Sequence, residues 1–189
     1  NIYLQGYIPD ENVRFRKEAI IFHEKPPTTS VSVGETLLKW EKIKKTYKGF
    51  TFTAHPGEVK RGETIGILGP NGIGKTTFVR ILAGIEETDD GRKFEELTVS
   101  YKPQYISAEY EGTVRELLMS VAKENFTSSW YKTEIFQPLK INLFLDRNLT
   151  ELSGGELQKV AIATCLSRKA DLYLLDEPSA YLDVEERLN

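Results

Sequence analysis

With a single cysteine, Cys165, the chain can form no internal disulfide and no four-cysteine metal or iron–sulfur centre. That cysteine lies in an apolar helical run and reads as a core residue, compatible with a reducing, cytoplasmic compartment. No apolar run approaches the length that crosses a bilayer, and the N-terminus lacks a basic-then-apolar leader pattern. Membrane insertion of this chain is therefore not expected. Charge of one sign is also scarce: 25 basic against 28 acidic residues leave a net −3, no global sign of a polyanion-binding protein. The lysines at Lys39, Lys42, Lys44, Lys45 and Lys48 are interrupted by Glu41 and preceded by Glu35, and read as the solvated face of a strand. Direct DNA binding is not expected either.

What is present starts with Gly69-Pro70-Asn71-Gly72-Ile73-Gly74-Lys75-Thr76-Thr77, which fits the phosphate-loop pattern G-x-x-x-x-G-K-[ST]. The apolar run Thr64 to Leu68 before it predicts a buried strand. After it, Phe78, Val79, Ile81 and Leu82 fall at helical spacing, and Gly84 stands where a helix C-cap belongs. Glycines let successive backbone N–H groups turn inward around a phosphate chain, and the helix N-terminus adds partial positive charge. Lys75 is placed to reach phosphate oxygens, and the Thr76 hydroxyl to hold Mg²⁺.

At 189 residues the chain has enough length for one domain with a proper core, or a little more. Residues 1–22 read as a hinge-like segment, with a turn at Pro9 to Asn12, and residues 23–34 as a linker containing Pro26 and Pro27. From Glu35 to Lys60 alternating apolar residues predict antiparallel strands, with a Pro56-Gly57 turn. Tyr47, within this stretch, suits stacking on adenine and suits a core position equally. A strand is expected from Leu97 to Tyr101, ending near Gln104. Thr113 and Glu116 form a capping box that opens a helix, and a second helix is expected around Trp130 to Leu139, with Trp130 covering the core of a small helical layer.

Ser153-Gly154-Gly155-Glu156 is a further capping box, opening a helix through Leu157, Val160, Ala161 and Thr164. Two glycines at a helix start bare backbone N–H groups and suit close approach by an anion. Leu172 to Leu175 is a short apolar strand that ends in Asp176-Glu177. A carboxylate at a strand's C-terminal tip beside a phosphate loop is where Mg²⁺ coordination is expected, and Glu177 is placed as a general base.

In this order the motifs resemble the ABC-type ATPase domain: phosphate loop, Q-loop Gln104, signature Leu152 to Gln158, the strand ending at Asp176, Glu177, and a D-loop from Ser179 to Asp183. The resemblance covers residues 35–189. Gly-Ile-Gly-Lys-Thr-Thr, Leu-Ser-Gly-Gly-Glu-Leu-Gln-Lys and Asp-Glu-Pro-Ser-Ala-Tyr-Leu-Asp are most similar to the second ATPase domain of the E subfamily, soluble proteins that recycle ribosomes. The fold this implies is α/β, a P-loop nucleotide-binding domain with an antiparallel β subdomain and a helical subdomain from Glu109 to Leu152.

The resemblance also implies roles. Nucleotide contacts fall to Tyr47, Asn71, Gly72, Ile73, Gly74, Lys75, Thr76 and Thr77. Mg²⁺ contacts fall to Thr76, Gln104 and Asp176, and the catalytic carboxylate is Glu177. Such domains pair head to tail, so Ser153, Gly154, Gly155 and Glu156 would touch an ATP held by the partner domain. The small ribosomal subunit is the further partner it implies. The family's switch histidine is expected in a strand beyond the D-loop; His23 and His55 lie upstream of the phosphate loop and read as surface or turn residues. A fragment lacking that histidine and a paired signature is expected to bind ATP without turning it over. The other reading left open is the ATPase subunit of a membrane transporter.

Overall fold

The structure, a computed structural model, describes residues 7–8, 13–14, 34–104 and 110–183. The remainder of the hinge-like segment 1–22, nearly all of the linker 23–34 and the residues past Asp183 lie outside the described residues. The chain divides into two units, 1–35 and 36–189. In the first, β1 (Tyr7–Ile8) pairs antiparallel with β2 (Val13–Arg14), Tyr7 opposite Arg14.

The second unit starts with two antiparallel pairs. β3 (Thr36–Trp40) pairs with β6 (Gly57–Lys60), and β4 (Ile43–Tyr47) with β5 (Phe50–Ala54) across Lys48-Gly49. Alternation does the sorting: Ile43 is fully buried while Lys44 and Thr46 face solvent. Of the lysines in this stretch, Lys39, Lys42, Lys44 and Lys48 are exposed and Lys45 is half-buried.

α1 (Lys75–Leu82) follows the phosphate loop and stops at Gly84, whose φ is +68°. A Cβ there would lie 2.5 Å from the Phe94 carbonyl oxygen, so space as well as backbone conformation demands glycine. α1 buries Val79, Ile81 and Leu82, the last two in one core with Leu38, Ile43, Val59 and Leu172. Phe78 adds ring contacts to Trp40 at 5.5 Å and to Phe52 at 5.9 Å.

β7 (Val99–Lys102) pairs in parallel with β8 (Leu172–Leu175), Val99 opposite Leu172 and Lys102 opposite Leu175. A parallel pair needs a long crossover. Here it contains a helical layer and then α3 (Gly154–Ser167). α2 (Val114–Ala122) starts in the expected box, with Thr113 accepting from the Glu116 amide. It packs Val114 and Leu118 against Tyr131, Ile135, Phe136 and Ile141, forming a second core. α3 belongs to both halves. Its Val160 and Ala163 sit in the helical core, while the Cys165 carbonyl accepts a 2.7 Å hydrogen bond from the Ser100 hydroxyl on β7. Cys165 itself is buried, as its apolar surroundings predict.

Two expectations are corrected. Residues 63–70 form no strand: Ile65 and Ile67 are about half exposed and Leu68 is 94% exposed. Apolarity marks a segment that benefits from burial, but a central strand also needs ladder partners on its edges. Among the described residues β7 and β8 pair only with each other, and neither hydrogen-bonds to this run. The second correction is Trp130, which is 59% exposed and does not cover the helical core. The segment is not one α-helix either. It passes from Ser129–Tyr131 through a π turn, Lys132–Phe136, into Gln137–Leu139. That sequence of turns buries Tyr131, Ile135 and Phe136, and the three rings of Phe126, Tyr131 and Phe136 lie 5.1–6.0 Å apart.

Leu118→Ala, at a fully buried position, is expected to cost about 2–5 kcal/mol of unfolding free energy. Trp130→Ala should stay within about 0.5 kcal/mol because the ring is already largely solvated. Denaturant melts of the two variants test both; a larger loss at Trp130 than at Leu118 would contradict the packing.

Candidate nucleotide-binding and hydrolysis site

The phosphate loop ends in Gly74, the N-cap of α1, at φ +101°. A Cβ on Gly74 would lie 2.5 Å from the Phe52 ring and 3.2 Å from Phe50, so β5 presses directly on the turn. No side chain caps α1, and no acidic residue stands in its first turn. The first-turn N–H groups of a helix have no acceptor of their own, which makes this uncapped end a site for an anion. Lys75 folds back over its loop, its Nζ donating to the carbonyls of Gly69 at 2.8 Å and Pro70 at 2.9 Å. Both acceptors are exposed backbone, so the ammonium can exchange them for phosphate oxygens at small cost. Asn71, Gly72 and Ile73 are exposed, and Thr76 and Thr77 are half-buried in the first turn.

Tyr47 is 38% exposed and so is not a core tyrosine. Its ring stacks on Phe50 at 6.3 Å, and the Lys45 ammonium lies 5.9 Å from its centroid. Its hydroxyl donates to the Glu86 carboxylate, which also pairs with Arg80 at 2.8 Å. Burial, then that carboxylate, pushes the phenol above its usual value, with the Thr77 hydroxyl opposing. The ring is thus anchored beside the phosphate loop by its polar end.

The second part of the site is the tip of β8. Asp176 is buried, and its Oδ2 has no hydrogen-bond partner. Beside it Lys102, only 1% exposed, donates from Nζ to the Asp176 carbonyl at 2.8 Å and the Pro103 carbonyl at 3.0 Å. Burial pulls the lysine's pKa down, and the Asp176 charge holds it up. Tyr101 lies between this tip and α1. Burial and then the Asp176 charge push its phenol up, while Arg80 acts the other way. From the far end of β7, Gln104 donates its amide Nε2 to Glu177 Oε2 at 2.9 Å. This leaves the Gln104 amide oxygen for another partner.

These groups fit the cofactors that the motifs imply. An orphaned buried carboxylate oxygen, an amide oxygen and the Thr76 hydroxyl are the hard donors that Mg²⁺ prefers. The uncapped α1 terminus and Lys75 suit a phosphate chain. Among the described residues no hydrogen bond or ion pair joins the 69–77 loop to Asp176 or Glu177. Tyr101 feels charge from both parts, Asp176 at the β8 tip and Arg80 on α1.

The third group is the start of α3. Ser153 accepts from the Glu156 amide at 3.3 Å, while the Glu156 carboxylate accepts from the Ser153 amide at 2.8 Å and from Arg147 at 2.9 Å. The Ser153 amide, ahead of Arg147, draws the Glu156 pKa down. Gly154 is exposed, with the Tyr181 side chain in van der Waals contact where its Cβ would be. Ser153, Gly154 and Gly155 make no hydrogen bond to Asp176, Glu177 or the phosphate loop. The sequence gives no role to Lys102, and Gln158 enters only as the last position of the signature. Lys102 is a charged residue two positions before Gln104 in a strand that alternates half-buried and buried residues, and Gln158 donates to the carbonyls of Glu177 and Pro178.

Comparison with known proteins identifies the family. The family model described as ABC transporter matches residues 54–180. The chain belongs to the ABC ATPase family and, within it, to the E family. ABC transporter E family member 3 of Arabidopsis thaliana is 40% identical over 145 residues, covering 74% of this chain and 80% of the relative. Translation initiation factor RLI1 of Saccharomyces cerevisiae is 40% identical over 190 residues, covering all of this chain but 31% of the relative. Against solved structures, the chain is similar to an archaeal ribosome recycling factor crystallised with an archaeal ribosomal stalk protein. That match has 55% identity and a TM-score of 0.82, over all of this chain and 36% of that one. The chain spans about a third of the length of RLI1.

Gly74→Ala is expected to weaken nucleotide binding more than about tenfold, because strained φ and the Phe52 ring both oppose a Cβ. Titration with a fluorescent ATP analogue measures it, and an unchanged Kd would remove the loop from the site. The Glu156 carboxylate, with its folded pKa below 4.5, adds stability in full above that value and loses it as pH falls through the folded value. The Tm gap between the parent and Glu156→Ala should therefore narrow below about pH 4.5. A gap that widens on acidification would contradict the cap.

Proposed function

We propose that this chain is the second ATPase domain of an E-family ABC protein that separates ribosomal subunits in an ATP-driven cycle. The observation that carries the hydrolytic reading is the β8 tip: a buried carboxylate with an orphaned oxygen, next to a glutamate already hydrogen-bonded to Gln104. Support for the ribosomal role is the naming of the relatives as a translation initiation factor and a ribosome recycling factor. A cytoplasmic setting follows from that role. No helix among the described residues is long and apolar enough to cross a membrane.

The uncapped start of α1 and Lys75 hold the phosphate chain, with Asn71 to Thr77 as the cradle and Tyr47 stacked beside the adenine. Thr76, Gln104 and Asp176 would hold Mg²⁺, directly or through water. When bound there, the ion would supply charge neutralisation at the phosphates. Glu177 takes the proton of the attacking water, and Gln104 orients its carboxylate. Ser153 to Glu156 face an ATP held by a second ATPase domain, arranged head to tail. Closure of that pair completes both sites and provides the mechanical stroke that acts on the small ribosomal subunit. The isolated chain binds nucleotide without turnover, because half of each site comes from the partner domain.

Glu177→Gln in the protein carrying both ATPase domains should lower turnover at this site by about 10²-fold or more with ATP affinity retained. Steady-state hydrolysis and equilibrium binding together test it. Unaffected turnover would remove Glu177 as the base.

A further inference from the structure

Glu177 has a left-handed backbone, φ +46°, although it is not glycine. A carboxylate residue in that region is strained, and the strain persists only where surroundings hold it. The group in position to hold it is Gln158. This side chain is fully buried, and its Nε2 donates to the carbonyl of Glu177 at 2.9 Å and to that of Pro178 at 2.8 Å. One amide nitrogen thereby fixes two successive peptide planes. The Glu177 carbonyl also accepts from the Ala180 amide at 3.1 Å, closing the turn that carries the chain to Tyr181.

Gln158 belongs to α3, in the turn directly after Ser153, Gly154 and Gly155. It is therefore bonded to Glu177 from the helix whose start would face the partner domain's nucleotide. A second contact spans the same two elements, since Tyr181 lies against Gly154.

We infer that Gln158 is a positioning residue for hydrolysis. It holds Glu177 in its strained conformation from the signature helix, so that the general base in one ATP site is set by a helix serving the other. The inference rests on the reading of Glu177 as the base. Among the described residues Gln158 makes no hydrogen bond to the phosphate loop or Lys75, so its loss should reach the chemical step without reaching nucleotide affinity.

The test uses the two-domain protein with Gln158→Leu and Gln158→Met. Both keep roughly the side-chain size and remove the donor; the second serves if the first does not fold. Expected is a fall in kcat of about tenfold or more with KM and ATP-analogue Kd changed less than about twofold, the split of a group acting only in the transition state. Each change is then repeated in the Glu177→Gln background under single-turnover conditions. If Gln158 acts through Glu177, its removal there costs nothing further. An undiminished further loss in that background, or parallel loss of Kd and kcat, would overturn the inference. Glu177→Gln with normal turnover would instead refute the base assignment, whatever Gln158 does.

Discussion

A lysine buried in a β-strand with carbonyl oxygens as its hydrogen-bond acceptors is an expensive feature. Lys102 is held this way, donating to Asp176 and Pro103 from the end of β7. A buried ammonium costs several kcal/mol unless hydrogen bonds and a nearby negative charge offset it. The offset here is the Asp176 carboxylate, itself buried and lacking a proton donor on one oxygen. Each charge makes the other tolerable. The consequence is that the loop leaving β7 and the loop leaving β8 are fixed to each other, which is why Gln104 meets Glu177 at hydrogen-bond distance.

The rest of the architecture serves that junction from three sides. The β subdomain positions the phosphate loop by pressing Phe50 and Phe52 on Gly74, and closes a core over α1. The helical layer has its own core and passes its geometry to the junction through α3, which is bonded to β7 at Ser100 and to the β8 turn at Glu177 and Pro178. Motion of the helical layer would therefore be felt at Glu177 before it is felt at Lys75. That ordering suits a domain in which binding and hydrolysis are separately controlled.

Much of this was legible in the residues. The capping boxes at Thr113 and Ser153, the α1 helix with its Gly84 stop, and the strand ending in Asp176 rest on local chemistry that sequence spacing records directly. What escaped depends on partners distant in the chain. An apolar run at Thr64 to Leu68 looks the same with or without ladder partners, and Trp130 and Tyr131 are equally aromatic although only Tyr131 is inside. Gln158 is legible as the last position of the signature, but nothing local tells that its side chain is fully buried. Its role depends on a turn 19 positions further on.

In the proposed function, nucleotide state at this site governs engagement with a ribosomal subunit. Co-sedimentation of the two-domain protein with small ribosomal subunits, with and without a non-hydrolysable ATP analogue, tests it most directly. Stable binding with the analogue and little without it is the expected result. Binding in neither condition, with the analogue still occupying the site, would contradict the ribosomal role and turn attention to a membrane partner.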